Sequence, residues 1–160
     1  MPSVTQRVTP FLWFDSQAEE AARFYTSVFP NSKIRATSRY DDATAKAAGR
    51  PPGTVMTVDF LLDGQEFVAL NGGPAFHFTE AISLVVNCDS QAEIDHFWSR
   101  LSADGHEVEC GWLKDKYGLS WQVWPRALND LLTGDPERAK RVMAAVMTMK
   151  KLDLAALKSA

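Results

Sequence analysis

A chain of 160 residues, 46% hydrophobic and 23% charged with a net charge of −3, is long enough to bury a full core as one domain. It has no basic excess for nucleic acid, and no apolar stretch approaching the roughly 20 residues of a membrane span. The opening Met1-Pro2-Ser3-Val4-Thr5 lacks an apolar signal core, and Cys88 and Cys110 sit in apolar runs as buried, reduced thiols, so a cytoplasmic protein is the expectation.

Val8 to Phe14 reads as a first strand, with Pro10 favouring an edge or an end. A helix over about Gln17–Phe29 follows, with Ala18, Ala21, Ala22, Tyr25, Val28 and Phe29 at one-sided spacing, and Pro30-Asn31-Ser32 stops it. Lys33–Tyr40 predicts a strand exposed on one face, and Asp41–Gly53 a mobile surface loop. Thr54–Leu62 and Gln65–Leu70 predict a hairpin turned by Asp63-Gly64, closed by Asn71-Gly72-Gly73-Pro74. Phe76-His77-Phe78 leads into a strand Ala81–Cys88 and a helix over about Gln91–Ala103, ended by Asp104-Gly105. Strands His106–Glu109, Gly111–Asp115 and Leu119–Trp124 follow. Helices then cover Arg126–Leu132, Asp135 to about Met149, and Leu152–Lys158.

The two halves repeat. Asp15-Ser16-Gln17-Ala18-Glu19 recurs as Asp89-Ser90-Gln91-Ala92-Glu93, 74 residues on (15 to 89). Each copy follows an apolar run and opens a helix with a Ser-x-x-Glu capping box, Ser16 with Glu19 and Ser90 with Glu93. Each helix then carries an aromatic pair, Phe24-Tyr25 or Phe97-Trp98. The fold class predicted is α+β: two strand-helix-three-strand repeats, about 8–73 and 76–125, in one domain 1–160 with a helical tail 126–160.

A duplicated unit of this kind resembles the vicinal oxygen chelate superfamily, which includes glyoxalase I, extradiol dioxygenases and bleomycin-resistance proteins. Within it the chain looks like the PhnB-like group, labelled 3-demethylubiquinone-9 3-methyltransferase domain proteins. The residues that carry the resemblance are Thr9-Pro10-Phe11-Leu12-Trp13-Phe14, Leu70-Asn71-Gly72-Gly73-Pro74 and the run Cys110 to Gln122, with Asp135 to Lys151 of the tail also fitting. It implies a cupped mixed sheet around a small-molecule cavity, and a homodimer.

The metal-dependent members place inward His or Glu ligands on the first, fourth, fifth and eighth strands. The matching residues here are Val8 or Pro10, Asn71, Ile82 or Ser83, and Gln122, where a glyoxalase has its Glu. A neutral amide without an aligned imidazole is a weak ligand set, so no divalent metal is expected. S-adenosylmethionine is not expected either, because neither strand-to-helix turn, Phe14-Asp15-Ser16 or Cys88-Asp89-Ser90, contains a glycine. Strand alternation puts Ser120, Gln122 and Trp124 on one face of the last strand and Trp121 and Val123 on the other. With Asn71 and Ser83, the first three make the expected pocket for a small, planar or apolar ligand. His77, flanked by phenylalanines with Glu80 nearby, and Gln122 are the candidate catalytic groups. Whether the protein turns its ligand over is open. A metal-dependent lyase or dioxygenase, a drug-sequestering protein and the methyltransferase of the family label are the alternatives. The tail stripe Val142, Met143, Val146, Met147 predicts a dimer contact or packing on its own domain.

Overall fold

A computed structural model of the protein describes residues 6–160. The chain divides into two compact units, one ending at His77 and the other running Phe78–Ala160.

The first unit contains β1 (Phe11–Phe14), α1 (Ala18–Val28), β2 (Lys33–Arg39), α2 (Asp42–Ala48), β3 (Val55–Leu62) and β4 (Gln65–Asn71). Its sheet has the order β1-β4-β3-β2, with β1 parallel to β4 and the other pairs antiparallel. Pairing reaches back to Pro10, whose carbonyl accepts from Val68 N; proline has no N–H to extend the ladder, so the strand proper starts later than its apolar run. Leu12, Phe14, Val58, Phe60, Leu62, Phe67 and Ala69 are buried on the face under α1. Alanines at 18, 21 and 22 let that helix lie close, and Tyr25, Phe60 and Phe67 form a ladder with ring centroids 6.3 and 5.6 Å apart.

The stretch expected as a loop, Asp41–Gly53, instead contains α2. Asp41 and Thr44 form a reciprocal capping box, and Gly49 closes the helix in the left-handed conformation at φ 65°. Its composition looks like loop, but alanine is the best helix former and both caps are present. The hairpin turn is as expected, with Asp63 and Gly64 at φ 47° and 80°, the paired left-handed residues of a type I′ turn.

The second unit contains β5 (Leu84–Cys88), α3 (Gln91–Ser102), β6 (His106–Glu107), β7 (Trp112–Lys114) and β8 (Ser120–Pro125). The sheet order β5-β8-β7-β6, with β5 parallel to β8, repeats the topology of the first. Buried Leu12 and Phe14 correspond to buried Val86 and Cys88, 74 residues on. On the helices, however, Ala21, Tyr25 and Val28 correspond to Ile94, Trp98 and Leu101, 73 residues on. The first strand-to-helix turn therefore holds one residue more, and the pentapeptide sits in two registers. Ser90 caps α3, its hydroxyl accepting from Glu93 N at 3.2 Å, while the Glu93 carboxylate accepts from Asp89 N at 2.6 Å. Ser16 falls one place short of the cap. Gln17 takes that place without a side-chain bond, so the capping box expected at Ser16 and Glu19 does not form. The Asn71 side chain supplies the missing acceptor, its Oδ1 accepting from Ala18 N at 2.8 Å.

At the end of α3 the left-handed residue is Asp104, φ 59°, not Gly105. Glycine is required at 105 for space, since a Cβ there would lie 2.2 Å from the Lys114 carbonyl oxygen. Cys110 and Gly111, at φ 61° and 79°, turn the chain between β6 and β7 and shorten both strands.

The tail forms α4 (Arg126–Thr133), α5 (Pro136–Val146) and α6 (Leu154–Ser159). Leu128, Val142, Val146, Leu152 and Leu157 make a core of their own. Asp135 caps α5 with Pro136 in the first turn, and the helix tightens and stops before Met149. Main-chain bonds hold the tail to its unit: Cys110 N donates to Met149 O at 2.7 Å and Gly111 N to Lys150 O at 2.8 Å. The Gln91 amide donates to Leu152 O and accepts from Leu154 N. The apolar stripe on α5 thus splits, with Val142 and Val146 inward and Met143 and Met147 exposed.

Candidate functional site

Each sheet has one face under a helix and one face open. In the second sheet Val86, Cys88, Leu113, Trp121 and Val123 are buried on the side that α3 covers. Register determines what shares the other side, because paired residues point the same way. His106 pairs with Lys114 and Lys114 with Ser120; Ser83 lies one step along the register that pairs Leu84 with Trp121. These four make a polar band across all four strands. Beside it runs an apolar band: Trp112 and Val85 both pair with Gln122, and Val108 N donates to Trp112 O. Val85 and Val108 remain 47% and 40% exposed.

Ser83, Ser120 and Gln122 therefore share this face. Gln122 Nε2 donates to Ser83 Oγ at 3.0 Å, which holds the amide in place. The Ser120 hydroxyl is fully buried and has no hydrogen-bond partner. Trp124 lies on the same face, paired with Asn87, but its indole donates to Asn129 Oδ1 and its ring packs on the tail core. Lys114, His106, Val108, Trp112 and Val85 were missed. Alternation along β7 signals an outward Lys114, but only the register shows which neighbours it has.

β8 is aimed by a buried carboxylate. Asp115, 2% exposed, accepts from Tyr117 N at 2.9 Å, Leu119 N at 3.1 Å and the Trp121 indole at 2.9 Å. It fixes the β7–β8 turn and hence the start of the strand that carries Ser120 and Gln122.

Asn71 and His77 belong to the first unit. Asn71 lines a cleft of about 290 Å³ with Ser16, Glu19, Arg50 and Thr54, but its amide is committed, to Ala18 N on one side and to Val55 O on the other. Alternation places it on the α1 side of β4, with Glu66, Val68 and Leu70 on the open side. The glycines that follow are packing residues: Gly72 lies flat on the Trp13 ring, where a Cβ would approach to 2.4 Å, and Trp13 Nε1 donates to Gly73 O. His77 is exposed, beside a Phe76 that stacks edge-on against Trp13. Glu80, near His77 in the sequence, pairs with Lys114, which holds its carboxyl below the usual range by hydrogen bonding. A second cleft, about 440 Å³, opens over the first sheet between Thr9, Asp59, Val68 and the Arg35–Glu66 ion pair, with Arg35 at a strand bulge that re-aims it.

The superfamily's ligand positions can be compared with each other. Gln122 pairs with Val85 and Trp112 in the second sheet, as Val68 pairs with Phe11 and Asp59 in the first, so Val68 is the fourth-strand counterpart of Gln122. With Val8 and Ile82 on the leading segments, the set does not fit a divalent ion, which wants carboxylate or imidazole. Among the described residues no group of three or more His, Cys, Asp or Glu is placed to hold a metal, and no helix is long and apolar enough to cross a membrane.

The fold is that of the glyoxalase and bleomycin-resistance class. The fosfomycin resistance protein FosX of Listeria monocytogenes superposes with a TM-score of 0.56 at 15% identity, over 82% of this chain and 99% of that one. A Pseudomonas aeruginosa protein superposes at 0.60 with 18% identity, over 76% and 98%. The chain belongs to the 3-demethylubiquinone-9 3-methyltransferase family, the PhnB-like group, whose model matches residues 6–124. A Bacillus cereus protein described as 3-demethylubiquinone-9 3-methyltransferase, PhnB protein, is 40% identical over 75% of this chain and 99% of that one, with a TM-score of 0.66. We find no match among the curated proteins.

Proposed function

We propose that this protein binds a small, flat, largely apolar molecule on the open face of its second sheet, using neither a divalent ion nor S-adenosylmethionine. The observation that carries the reading is the band Val108, Trp112, Gln122, Val85: two exposed valines and a half-buried tryptophan around one amide that Ser83 holds in place. Such a surface recognises a π-face by area and an edge by one or two hydrogen bonds. The chemistry of the Val68 and Gln122 positions supports binding without a metal. The strand-to-helix turns, Asp15–Gln17 and Asp89–Ser90, hold no glycine to admit a nucleotide cofactor. The resemblance to the superfamily supports a homodimer, and exposed Met143 and Met147 are the part of the tail stripe free to make its contact.

The test is a titration with bicyclic aromatic amides, 2-naphthamide among them, read by the indole N–H signals of Trp112 and Trp124 in protein shown metal-free by elemental analysis. Binding should shift both signals and yield no product, and Gln122→Leu should weaken it by about tenfold, the worth of one hydrogen bond. Undisturbed indoles at millimolar ligand, or binding that needs added divalent ion, would overturn the proposal.

A further inference from the structure

The polar band beside that apolar one holds one group without a partner, next to a cation that a single exposed carboxylate serves. Ser120 is shut away from solvent with its hydroxyl unpartnered, an arrangement that native proteins avoid unless something else satisfies the group. Its cross-strand neighbour Lys114 is a cation whose ammonium is taken by Glu80. Glu80 is in the irregular segment before β5, its side chain 59% exposed against 32% for Lys114. Exposed ion pairs of this kind add little to stability, so losing the contact is a small penalty.

We infer that Lys114 and Ser120 form the head-group subsite for an oxyanion, a carboxylate or phenolate on the flat ligand, and that Glu80 holds the place until that anion arrives. This rests on the reading above and adds the charge of the ligand to it. The two bands lie side by side: a ligand body over Trp112 and Val85 points its edge across the strands at Lys114. An incoming carboxylate takes a charge-assisted bond from Lys114 and a second from the Ser120 hydroxyl. Glu80 cannot replace that second bond with its one contact to the lysine. Displacement thus satisfies a donor that the free protein leaves idle.

The experiment compares 2-naphthoate with its neutral isostere 2-naphthamide on the intact protein and on Lys114→Gln, Ser120→Ala and Glu80→Gln. Naphthoate should bind about tenfold more tightly than the amide. Lys114→Gln should erase that preference, bringing the two probes to equal affinity. Ser120→Ala should weaken naphthoate more than the amide while leaving the protein no less stable, a divergence that a packing role would not produce. Glu80→Gln should tighten naphthoate about threefold by removing its competitor. Equal binding of the two probes, or a Glu80→Gln variant indifferent to charge, overturns this inference and leaves the proposed function standing. Failure of both probes removes the proposed function itself, and the inference with it. Binding of either probe only when a dimer dissociates would show that a second copy covers the face, and would overturn the inference as well.

Discussion

Replacing Asp115 with alanine should destabilise the protein by about 3–5 kcal/mol. Its carboxylate is 2% exposed and serves three donors, Tyr117 N, Leu119 N and the Trp121 indole, at 2.9, 3.1 and 2.9 Å. Hydrogen bonds to a charged acceptor contribute roughly 1.5–3 kcal/mol each, and a buried donor left unpaired loses roughly 1–3 kcal/mol. The three share one acceptor, so their losses overlap, and the total falls below the simple sum. Against a usual stability of about 5–15 kcal/mol this is a large fraction. Asp115→Asn keeps an acceptor and should lose about half as much. Trp121→Phe removes the indole donor itself, so the double variant should recover about 1–2 kcal/mol relative to the sum of the singles. Urea unfolding followed by far-UV circular dichroism measures the four variants against the natural protein. An Asp115→Ala loss below about 1 kcal/mol, or strict additivity with Trp121→Phe, would refute the claim that this carboxylate organises the start of β8.

Two further outcomes follow from the same geometry. Ser90→Ala should lower stability by about 1 kcal/mol, and Ser16→Ala, the same substitution in the same pentapeptide, should stay within about 0.5 kcal/mol, because only Ser90 occupies a cap; equal effects in urea unfolding would contradict the one-residue shift between the units. Burial, aided by the Glu93 and Asp89 carboxylates, raises the Cys88 thiol from 9.0 to about 12. From about pH 9 upward the unfolded chain therefore binds fewer protons than the folded one. The stability this group contributes is complete below pH 9 and is lost as pH rises toward 12, at up to about 1.4 kcal/mol per unit. Relative to Cys88→Ala, the natural protein should lose stability more steeply over about pH 8.5 to 10.5, and parallel curves would count against it.

Much of the fold is legible without coordinates, for local reasons. Apolar runs, Asp63-Gly64 and the twice-used Asp-Ser-Gln-Ala-Glu string each report on a few neighbouring residues, and those are the features that a duplicated α+β unit needs. α2 was hidden because its alanines and polar residues look like loop, although Asp41, Thr44 and Gly49 are a complete set of caps. Gly105 reads in the sequence as a helix-ending glycine, but its role is to make room for a carbonyl from another strand.

At the candidate site, spacing along the chain was enough to put Ser120, Gln122 and Trp124 on one face, since alternation is a property of a single strand. Spacing could not show that Asn71 spends its amide capping α1, that Trp124 leans on the tail, or that Lys114 stands beside Ser120. Those relations depend on which residues lie opposite each other between strands, and on a one-residue difference between two turns. The chain by itself determined the repeated unit and which side chains each strand turns outward, because both follow from backbone periodicity. Tertiary pairing alone decided which of those side chains meet, because contacts between strands far apart in the chain are set by register and packing.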